Sequence, residues 1–401
     1  MIDFPYIKQL TRPTDSKIIM LVIDGLGGYP NPDTRKSELE TANLPNLDRI
    51  AQESSCGLTN PTPFGITLGS GPGHMALFGY DPVKYLMGRG ILEAIGIGMD
   101  LGKDDVAARG NFCTIDSNGC LVDRRAGRIS SEDAQPLINR LDKITLEGVQ
   151  VSVQLVRDYR FVLVLHGDGL GDQVSETDPQ NLGVPMPEAT ALSEDSHTTA
   201  ASANNFIAQA RRSLNQRVVG NMVMLRGFSR LPSLPQMTDL YHLRPAAIAS
   251  YPMYRGIAQL LGMRVLETGD SFEHQIATLE QHYSEYDFFF LHYKPADAAG
   301  EDGNFGAKVD ALEKLDQHMP EILKLDPHTL VVTGDHATPS IFGSHSWHKV
   351  PLMIRSSSTR GDGVQGFSEK SMGTGSMGTV PATNTMLLSL AHADKLRRFG
   401  P

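Results

Sequence analysis

Short apolar runs that end abruptly in polar residues recur along this chain. Residues 17–23 lead into Asp24, residues 287–294 are followed by Asp297, and residues 329–333 lead into Asp335 and His336. Continuous apolar runs of this length predict strands buried on both faces of a parallel sheet. Because the carboxyl ends of parallel strands meet at one edge of a sheet, we expect the polar residues that follow to lie close together.

Strand-like and helix-like patterns alternate through the middle of the chain. Residues 106–116, 161–165 and 221–227 read as strands, and residues 204–214 read as a helix. The predicted fold class is therefore α/β, with a core domain formed by residues 1–83 and 244–401 and a second, inserted α/β domain at 84–243. Residues 361–378, rich in Gly and Ser, are predicted to form a long mobile loop.

Composition excludes several classes of partner. The 401 residues carry a formal net charge of −10, which argues against general affinity for nucleic acid or for membrane surfaces. No apolar run approaches the roughly 20 residues that a membrane-spanning helix needs, and the first residues lack the order of a signal peptide. The 3 cysteines form no CxxC pair, which is typical of reduced thiols in a cytoplasmic protein.

The segment from Gly69 to His74 (sequence GSGPGH) places Ser70 between two glycines. Proline is favoured in the first turn of a helix, so we expect a helix to begin near Pro72 and to leave Ser70 just outside its N-terminus. Backbone amides and the helix dipole favour an anion at that position. The alternative is a glycine-rich turn with a capping serine, and His74 is interpreted as structural.

The polar residues at the predicted strand ends could hold metal ions. Carboxylates and imidazoles in such numbers suit two divalent ions, Mn²⁺, Mg²⁺, Co²⁺ or Zn²⁺, and the candidate ligands are Asp24, Asp297, Glu301, Asp335, His336 and His345. Residues four apart share one face of a helix, so Asp297 and Glu301 would point the same way. Ordinary turns and helix caps are the alternative for each residue alone. Beside two ions, a Ser70 hydroxyl could act as the nucleophile in phosphoryl transfer.

Three arginines within five residues occur in the segment 124–128 (sequence RRAGR). Guanidinium groups bind phosphate and carboxylate oxygens in a bidentate manner. A solvated basic loop remains the alternative.

Taken together, the segments 23–25, 69–74, 79–82, 123–128, 334–336 and 345–346 resemble the archaeal-type, cofactor-independent phosphoglycerate mutases of the alkaline phosphatase superfamily. The resemblance extends over essentially the whole chain. It implies an alkaline-phosphatase-like, doubly wound core sheet and an inserted domain that closes over the substrate. It also implies interconversion of 3-phosphoglycerate and 2-phosphoglycerate in glycolysis and gluconeogenesis, without 2,3-bisphosphoglycerate.

The resemblance further implies roles for individual residues. One ion would be held by Asp24, Ser70, Asp335 and His336, with Ser70 as the nucleophile, and the other by Asp297, Glu301 and His345. The family usually has histidine where this chain has Glu301, which puts the metal preference in question. His348 is a substitute donor, although the spacing favours His345.

The substrate anion would be bound first by Arg124 and Arg128, which match basic positions of the family. Arg109, Arg226, Arg255 and Lys294 are further candidates, each of which could instead be a surface charge or a structural ion pair. Two rival functions remain: a metal-dependent phosphatase or other phosphomutase on the same core, and a non-catalytic metabolite-binding relative with one weakened metal site.

Overall fold

The computed structural model describes residues 4–62, 65–85 and 87–400. Its strands are β1 (Ile18–Ile23), β2 (Ser55–Asn60), β3 (Val106–Ile115), β4 (Leu121–Asp123), β5 (Gln150–Arg157), β6 (Arg160–His166), β7 (Met222–Ser229), β8 (Pro245–Ile248), β9 (Arg264–Val265), β10 (Phe288–Tyr293), β11 (Thr329–Thr333), β12 (Val350–Ser356) and β13 (Gly378–Pro381).

Its helices are α1 (Phe4–Leu10), α2 (Glu38–Thr41), α3 (Pro45–Gln52), α4 (Ser70–Leu77), α5 (Arg89–Gly96), α6 (Ser131–Leu141), α7 (His197–Leu214), α8 (Met237–Tyr241), α9 (Pro252–Leu260), α10 (Phe272–His282), α11 (Pro295–Glu301), α12 (Phe305–Lys324), α13 (Glu369–Met372) and α14 (Thr385–His392). Within the described ranges, none of these helices combines the length and the apolar character that crossing a bilayer requires.

The chain divides into two compact units. Unit 1 comprises Met1–Leu86, Leu234–Ser250 and Ile257–Pro401, and unit 2 comprises Met87–Ser233 and Tyr251–Gly256.

Unit 1 is built on a largely parallel sheet whose strand order is β13-β2-β12-β11-β1-β10-β8-β9. The neighbours β11, β1 and β10 run parallel, whereas β12 is antiparallel to both β11 and β2. The apolar runs that predicted buried parallel strands at 17–23, 287–294 and 329–333 are therefore confirmed as the three central strands of one sheet.

Helices cover both faces of the unit 1 sheet, as a doubly wound core requires. Apolar side chains of α3, α10 and α12, among them Ile50, Ile276 and Leu315, pack against one face in a common buried cluster. On the opposite face, the ring of Phe78 at the end of α4 meets the ring of Phe290 on β10 edge to face, with centroids 5.0 Å apart. The predicted α/β class is confirmed.

Unit 2 contains an antiparallel sheet in the order β4-β3-β6-β5, with β7 paired to the other edge of β3 over most of its length. One face packs on α6 and α7 around residues such as Phe112, Leu141 and Phe206. Side chains alternate across a strand, so Arg109 and Asn111 on β3 lie on the face opposite to Phe112.

The units differ from the predicted domain boundaries in three places: residues 84–86 are assigned to unit 1, and two longer segments are also assigned differently. Residues 234–243 belong to unit 1, where the Tyr241 hydroxyl donates a hydrogen bond to the carbonyl of Phe78 at 2.9 Å. Residues 251–256 belong to unit 2, where Gly256 lies against the carbonyl of Leu92 on α5. Neither tertiary contact could be predicted from the local pattern of hydrophobic and polar residues.

The segment 361–378 is largely irregular, as its Gly and Ser content predicted, but it is anchored to the core. It contains α13, and both Phe367 and Met372 are buried in the unit 1 core. The carboxylate of Asp362 accepts a hydrogen bond from the backbone amide of Cys56 on β2 at 2.7 Å, which fixes the start of the segment against the sheet.

Candidate metal centre and nucleophile

Three buried aspartates lie beyond the carboxyl ends of the central strands of unit 1. Asp24 comes directly after β1, and Asp335 comes after β11 with one residue between. Asp297 lies in the first turn of α11, the helix that follows β10. All three have an exposed fraction of 0%. The parallel pairing of the strands thus delivers residues distant in sequence to one edge of the sheet, as the sequence pattern predicted.

The first group of candidate ligands consists of Asp24, Asp335 and His336, whose ligand atoms all lie within 4.8 Å of one another. His336 Nε2 is 3.1 Å from Asp335 Oδ2 and 3.4 Å from Asp24 Oδ1. The Ser70 hydroxyl lies 3.0 Å from the same Nε2 atom. These are the four residues that the sequence assigned to one ion.

The second group consists of Asp297, His336 and His345, again within 4.8 Å. His345 Nε2 is 3.6 Å from both Asp297 Oδ1 and Glu301 Oε1, and the Glu301 side chain is 54% exposed. The rings of His336 and His345 stack with centroids 3.7 Å apart. His336 therefore adjoins both groups, whereas the sequence assigned it only to the first.

His345, rather than His348, lies beside Asp297. Its Nδ1 atom is 2.8 Å from the carbonyl of Leu68, so Nδ1 carries the hydrogen and Nε2 is directed to Asp297 and Glu301. His348 Nδ1 instead contacts the hydroxyl of Ser346 at 2.9 Å, and its ring stacks on Trp347.

Thr338 links the two groups and determines which nitrogen of His336 can bind a metal. Its hydroxyl donates to Asp297 Oδ1 at 2.6 Å and lies 3.0 Å from His336 Nδ1. Because its hydrogen is directed to Asp297, the hydroxyl can only accept from Nδ1–H. A neutral His336 therefore presents the lone pair of Nε2 to Asp24, Asp335 and Ser70.

Ser70 is the first residue of α4, with Gly69 as its N-cap, and is 4% exposed. The helix thus begins two residues before the predicted position, and Pro72 is its third residue. Proline is tolerated there because the first amides of a helix have no acceptor within the helix. One turn on, Gly73 lies so close to Asp335 that a Cβ atom there would be 2.5 Å from the Asp335 carbonyl. Only glycine permits α4 to approach the metal-binding edge this closely.

The titratable groups of the first group are strongly coupled. Burial and Asp335 raise the pKa of Asp24, but Lys294 and the hydrogen bond from His292 outweigh them, so that its pKa falls below the ordinary value. Burial likewise raises the pKa of Asp335, but His336 and His74 bring it well below the ordinary value. Both carboxylates are thus ionised near neutral pH, as metal ligands must be.

Two further histidines lie beside these carboxylates. The Nδ1 atom of His74 lies 2.8 Å from the carbonyl of Ser70 and 3.2 Å from Asp335 Oδ2, which agrees with the structural interpretation of this histidine. His292 Nε2 lies 3.1 Å from Asp24 Oδ2, a role that sequence reasoning missed. The sequence signal for this role is the presence of a histidine in an otherwise apolar strand, β10.

Lys294, predicted to bind substrate, bridges the two groups. Its ammonium lies 3.1 Å from Asp24 Oδ2 and 2.5 Å from Asp297 Oδ2. Positive charge is therefore already placed between two wholly buried carboxylates. The three buried carboxylates, with His336 and His345 beside them, form a donor set of the kind that binds divalent ions, and it fits an ion at each group.

In unit 2, several of the predicted substrate-binding arginines share one face of the sheet. Arg109 and Arg226 are cross-strand neighbours on β3 and β7, so their side chains lie on the same face. Arg109 Nη1 is 3.4 Å from the buried carboxylate of Glu93 on α5, which also lies 3.6 Å from Arg89. Sequence reasoning missed Arg89 and Glu93.

Asp178 joins Arg226 to Arg124. Arg124 donates from Nε and Nη2 to the two oxygens of Asp178 at 3.1 and 2.6 Å, and Arg226 Nη1 approaches Oδ2 at 3.3 Å. The other two candidates lie on different elements: Arg128 is exposed at the end of the turn Ala126–Arg128, and Arg255 is on α9.

Comparison with known proteins points to one family. A family model described as 2,3-bisphosphoglycerate-independent phosphoglycerate mutase matches residues 51–219. A protein of Thermus thermophilus, named as a probable 2,3-bisphosphoglycerate-independent phosphoglycerate mutase, is 46% identical over 99% of both chains. One of Thermotoga neapolitana with the same name is 46% identical over 98% of both.

Two solved structures share the fold over nearly the full length. A protein of Pyrococcus horikoshii superposes with a TM-score of 0.83 at 25% identity, covering 97% of this chain and 100% of the other. A cofactor-independent phosphoglycerate mutase from Thermoplasma acidophilum gives a TM-score of 0.65 at 28% identity, covering 94% of this chain and 100% of the other.

Proposed function

Because the chain belongs to the family of 2,3-bisphosphoglycerate-independent phosphoglycerate mutases, we propose that it interconverts 3-phosphoglycerate and 2-phosphoglycerate through a phosphoserine at Ser70, without 2,3-bisphosphoglycerate. The observation that carries this proposal is the position of the Ser70 hydroxyl, 3.0 Å from Nε2 of His336, which belongs to both groups of candidate ligands. A reaction of glycolysis and gluconeogenesis is expected to take place in the cytoplasm.

Two divalent ions would be held by this chain's own donors. Asp24, Asp335, His336 and Ser70 would hold one, and Asp297, Glu301 and His345 the other. When bound, such ions lower the pKa of a serine hydroxyl and stabilise the charge of a phosphoryl group in transfer. Carboxylates outnumber imidazoles, which favours Mn²⁺ or Mg²⁺ over Co²⁺ and Zn²⁺.

The phosphoryl group would be transferred in two steps, both at Ser70. Ser70 Oγ loses its proton and attacks phosphorus, an Oγ–P bond forms and the bond from phosphorus to the substrate oxygen breaks. That oxygen takes up a proton, leaving glycerate and a phosphoserine. The other hydroxyl of glycerate then attacks the phosphoserine, and Ser70 is restored. The N-terminus of α4 favours the negative charge on the Ser70 side chain in both steps.

Cationic side chains would bind the substrate anions. Lys294 now pairs with Asp24 and Asp297, and ions bound to those carboxylates would release its ammonium to contact substrate. Arg109 and Arg226 share one face of the unit 2 sheet, and Arg124 and Arg226 both pair with Asp178. This grouping favours these three arginines over Arg128 and Arg255 as ligands of phosphate or carboxylate.

An enolase-coupled assay tests the proposal. Protein is mixed with 3-phosphoglycerate and Mn²⁺ in the absence of 2,3-bisphosphoglycerate, and wild type is compared with Ser70→Ala. We expect conversion by the wild type, its loss on adding a chelator, and none by Ser70→Ala. Ser389→Ala is the matched control, because Ser389 is also buried in unit 1 and its hydroxyl donates to the carbonyl of Thr385 within α14.

A metal-dependent phosphatase is the second candidate, since it would share Ser70 and the same ligands. Release of inorganic phosphate without formation of 2-phosphoglycerate would identify it. Conversion by Ser70→Ala at the wild-type rate would refute both candidates.

A further inference from the structure

Lys308 is a wholly buried lysine in the first turns of α12, with an exposed fraction of 0%. Its ammonium donates to the backbone carbonyls of Gly25, Gly27 and Thr338 at 2.9, 3.0 and 2.8 Å. An ammonium has three hydrogens, so each one has an acceptor. Lysine is almost never fully buried in proteins, and this one occupies a site made of carbonyl oxygens.

The carbonyls that Lys308 binds belong to residues that contact the candidate metal ligands. Gly25 follows Asp24, and its amide donates to Asp335 Oδ1 at 3.1 Å. Thr338 bonds through its hydroxyl to Asp297 and adjoins His336. One ammonium thus joins the loop after β1 to the loop after β11. The loop after β1 is also hydrogen-bonded to Asp335, and the loop after β11 is hydrogen-bonded to Asp297.

The packing around Gly25 shows how closely these loops must fit. Gly25 has a φ of +64°, and a Cβ atom there would lie 2.6 Å from both Asp297 Oδ1 and the Thr338 hydroxyl. A small displacement of the loop after β1 would therefore alter the contacts of Asp297 as well as those of Asp24.

Further charges lie around the same loops. Glu38 accepts hydrogen bonds from the amide and hydroxyl of Ser340 at 2.8 and 2.6 Å, and Glu369 accepts one from the amide of Gly28 at 2.8 Å. Burial lowers the pKa of Lys308, and the carboxylates of Glu38 and Glu369 act in the opposite direction. A buried charge contributes little to the stability of a fold, because removing the charge from water costs free energy.

We propose that Lys308 is a positioning residue, whose ammonium fixes the loops after β1 and β11 so that Asp24, Asp297 and His336 stand at metal-binding separations before an ion arrives. The inference rests on the metal centre proposed above. Residues that orient metal ligands typically change metal affinity by about 10- to 100-fold when they are replaced.

The test compares Lys308→Met with Lys395→Met. Lys395 is also 0% exposed in unit 1, and its ammonium donates to the carbonyl of Thr14 at 2.8 Å and lies 3.8 Å from Asp287. Asp287 precedes β10, so this control lies at the opposite edge of the sheet from Asp297. Both changes bury the same methyl-ended side chain and remove one ammonium.

Binding of Mn²⁺ to metal-free protein is measured by calorimetry, and free Mn²⁺ by its electron paramagnetic resonance signal, with thermal unfolding recorded for each variant. We expect Lys308→Met to raise the Kd for Mn²⁺ by about 10- to 100-fold. Lys395→Met should unfold at a lower temperature than wild type but bind Mn²⁺ with the wild-type Kd. Where Lys308→Met does not fold, Lys308→Gln, which keeps an N–H donor, replaces it and should raise the Kd by a smaller factor.

An unchanged Kd in a folded Lys308 variant would overturn the inference, as would an equal loss of affinity in Lys395→Met, which would reduce the effect to general destabilisation. Failure of the wild type itself to bind two ions would instead refute the metal centre, so the two failures are distinguishable.

Discussion

Glu301 is the most exposed of the candidate ligands, and the resemblance to the family leads us to expect a histidine at its position. It ends α11, one helical turn after Asp297, and its carboxylate lies 3.6 Å from His345 Nε2. Carboxylates favour Mg²⁺ and Mn²⁺, whereas imidazole suits Zn²⁺ and Co²⁺. One side chain therefore bears directly on the metal preference of the second group.

Replacing Glu301 by histidine should shift that preference. We expect the affinity for Zn²⁺ relative to Mn²⁺ to rise by about tenfold in Glu301→His, equivalent to about 1.4 kcal/mol. Competitive titration of the metal-free protein measures the ratio. Glu280→His, at an exposed position of α10, is the control and should leave the ratio unchanged. An unchanged ratio in Glu301→His would show that Glu301 is not a ligand.

Residue types at strand ends were sufficient to predict most of the candidate site. Asp24, Asp297, Asp335 and His336 follow apolar runs, and the parallel pairing of those runs brings them together. The sharing of His336 by both groups could not be predicted, because it depends on the stacking of its ring on His345. Lys308 and Glu93 were missed because each appears in the sequence as an ordinary charged residue of a helix.

At the scale of elements, Gly73 permits helix α4 to lie against the metal-binding edge of the sheet. Alanine in its place would put a Cβ atom 2.5 Å from the carbonyl of Asp335. We expect Gly73→Ala to displace α4, to lower the free energy of unfolding by about 1–3 kcal/mol, and to weaken Mn²⁺ binding because Ser70 moves with the helix. Urea unfolding and metal titration measure the two effects.

A control for helix propensity is available in α14, where alanine replaces Ser389 without crowding a neighbour. If Gly73→Ala proved as stable as wild type, the close approach of α4 to Asp335 would not be required.

The bridge of Asp178 to Arg124 and Arg226 organises the arginine cluster of unit 2. Burial raises the pKa of Asp178, but hydrogen bonds from Arg124 and from the amide of Gln180 bring it below the ordinary value of 3.8. A carboxyl group with a lowered pKa stabilises the fold above its unfolded pKa. That stabilisation is lost as the pH falls through the folded pKa.

Asp178→Asn should therefore lower the free energy of unfolding at pH 7 by about 1–2 kcal/mol, a figure kept small because the Arg124 side chain is partly exposed. The difference from wild type should shrink as the pH falls from the ordinary value of 3.8 towards the lower pKa of the folded carboxyl group, because the unfolded chain takes up its proton first. Urea unfolding between pH 7 and pH 3 measures it. Asp168→Asn, in the exposed loop after β6, should show no such difference at any pH. A pH-independent loss in Asp178→Asn would contradict the ion-pair explanation.

At the scale of the whole molecule, the sequence predicted the α/β class, and its proposed division into a core and an inserted domain differs in its boundaries from the two compact units. Helix α9 begins in unit 2 and ends in unit 1, and α8 belongs to unit 1 through the bond from Tyr241 to Phe78. Such assignments depend on contacts between segments more than 100 residues apart, as Tyr241 and Phe78 are. Hydrophobic periodicity reports only on neighbours along the chain.

The central claim is that Ser70 carries the phosphoryl group between two hydroxyls of glycerate. The most direct measurement is to mix the protein with 3-phosphoglycerate and Mn²⁺, quench it in acid within the first turnovers, and locate phosphate by peptide mass spectrometry. We predict one phosphoryl group on Ser70, absent when a chelator is added beforehand and absent from Ser70→Ala. Conversion of 3-phosphoglycerate to 2-phosphoglycerate with no phosphate on Ser70, or with phosphate on another residue, would contradict the account.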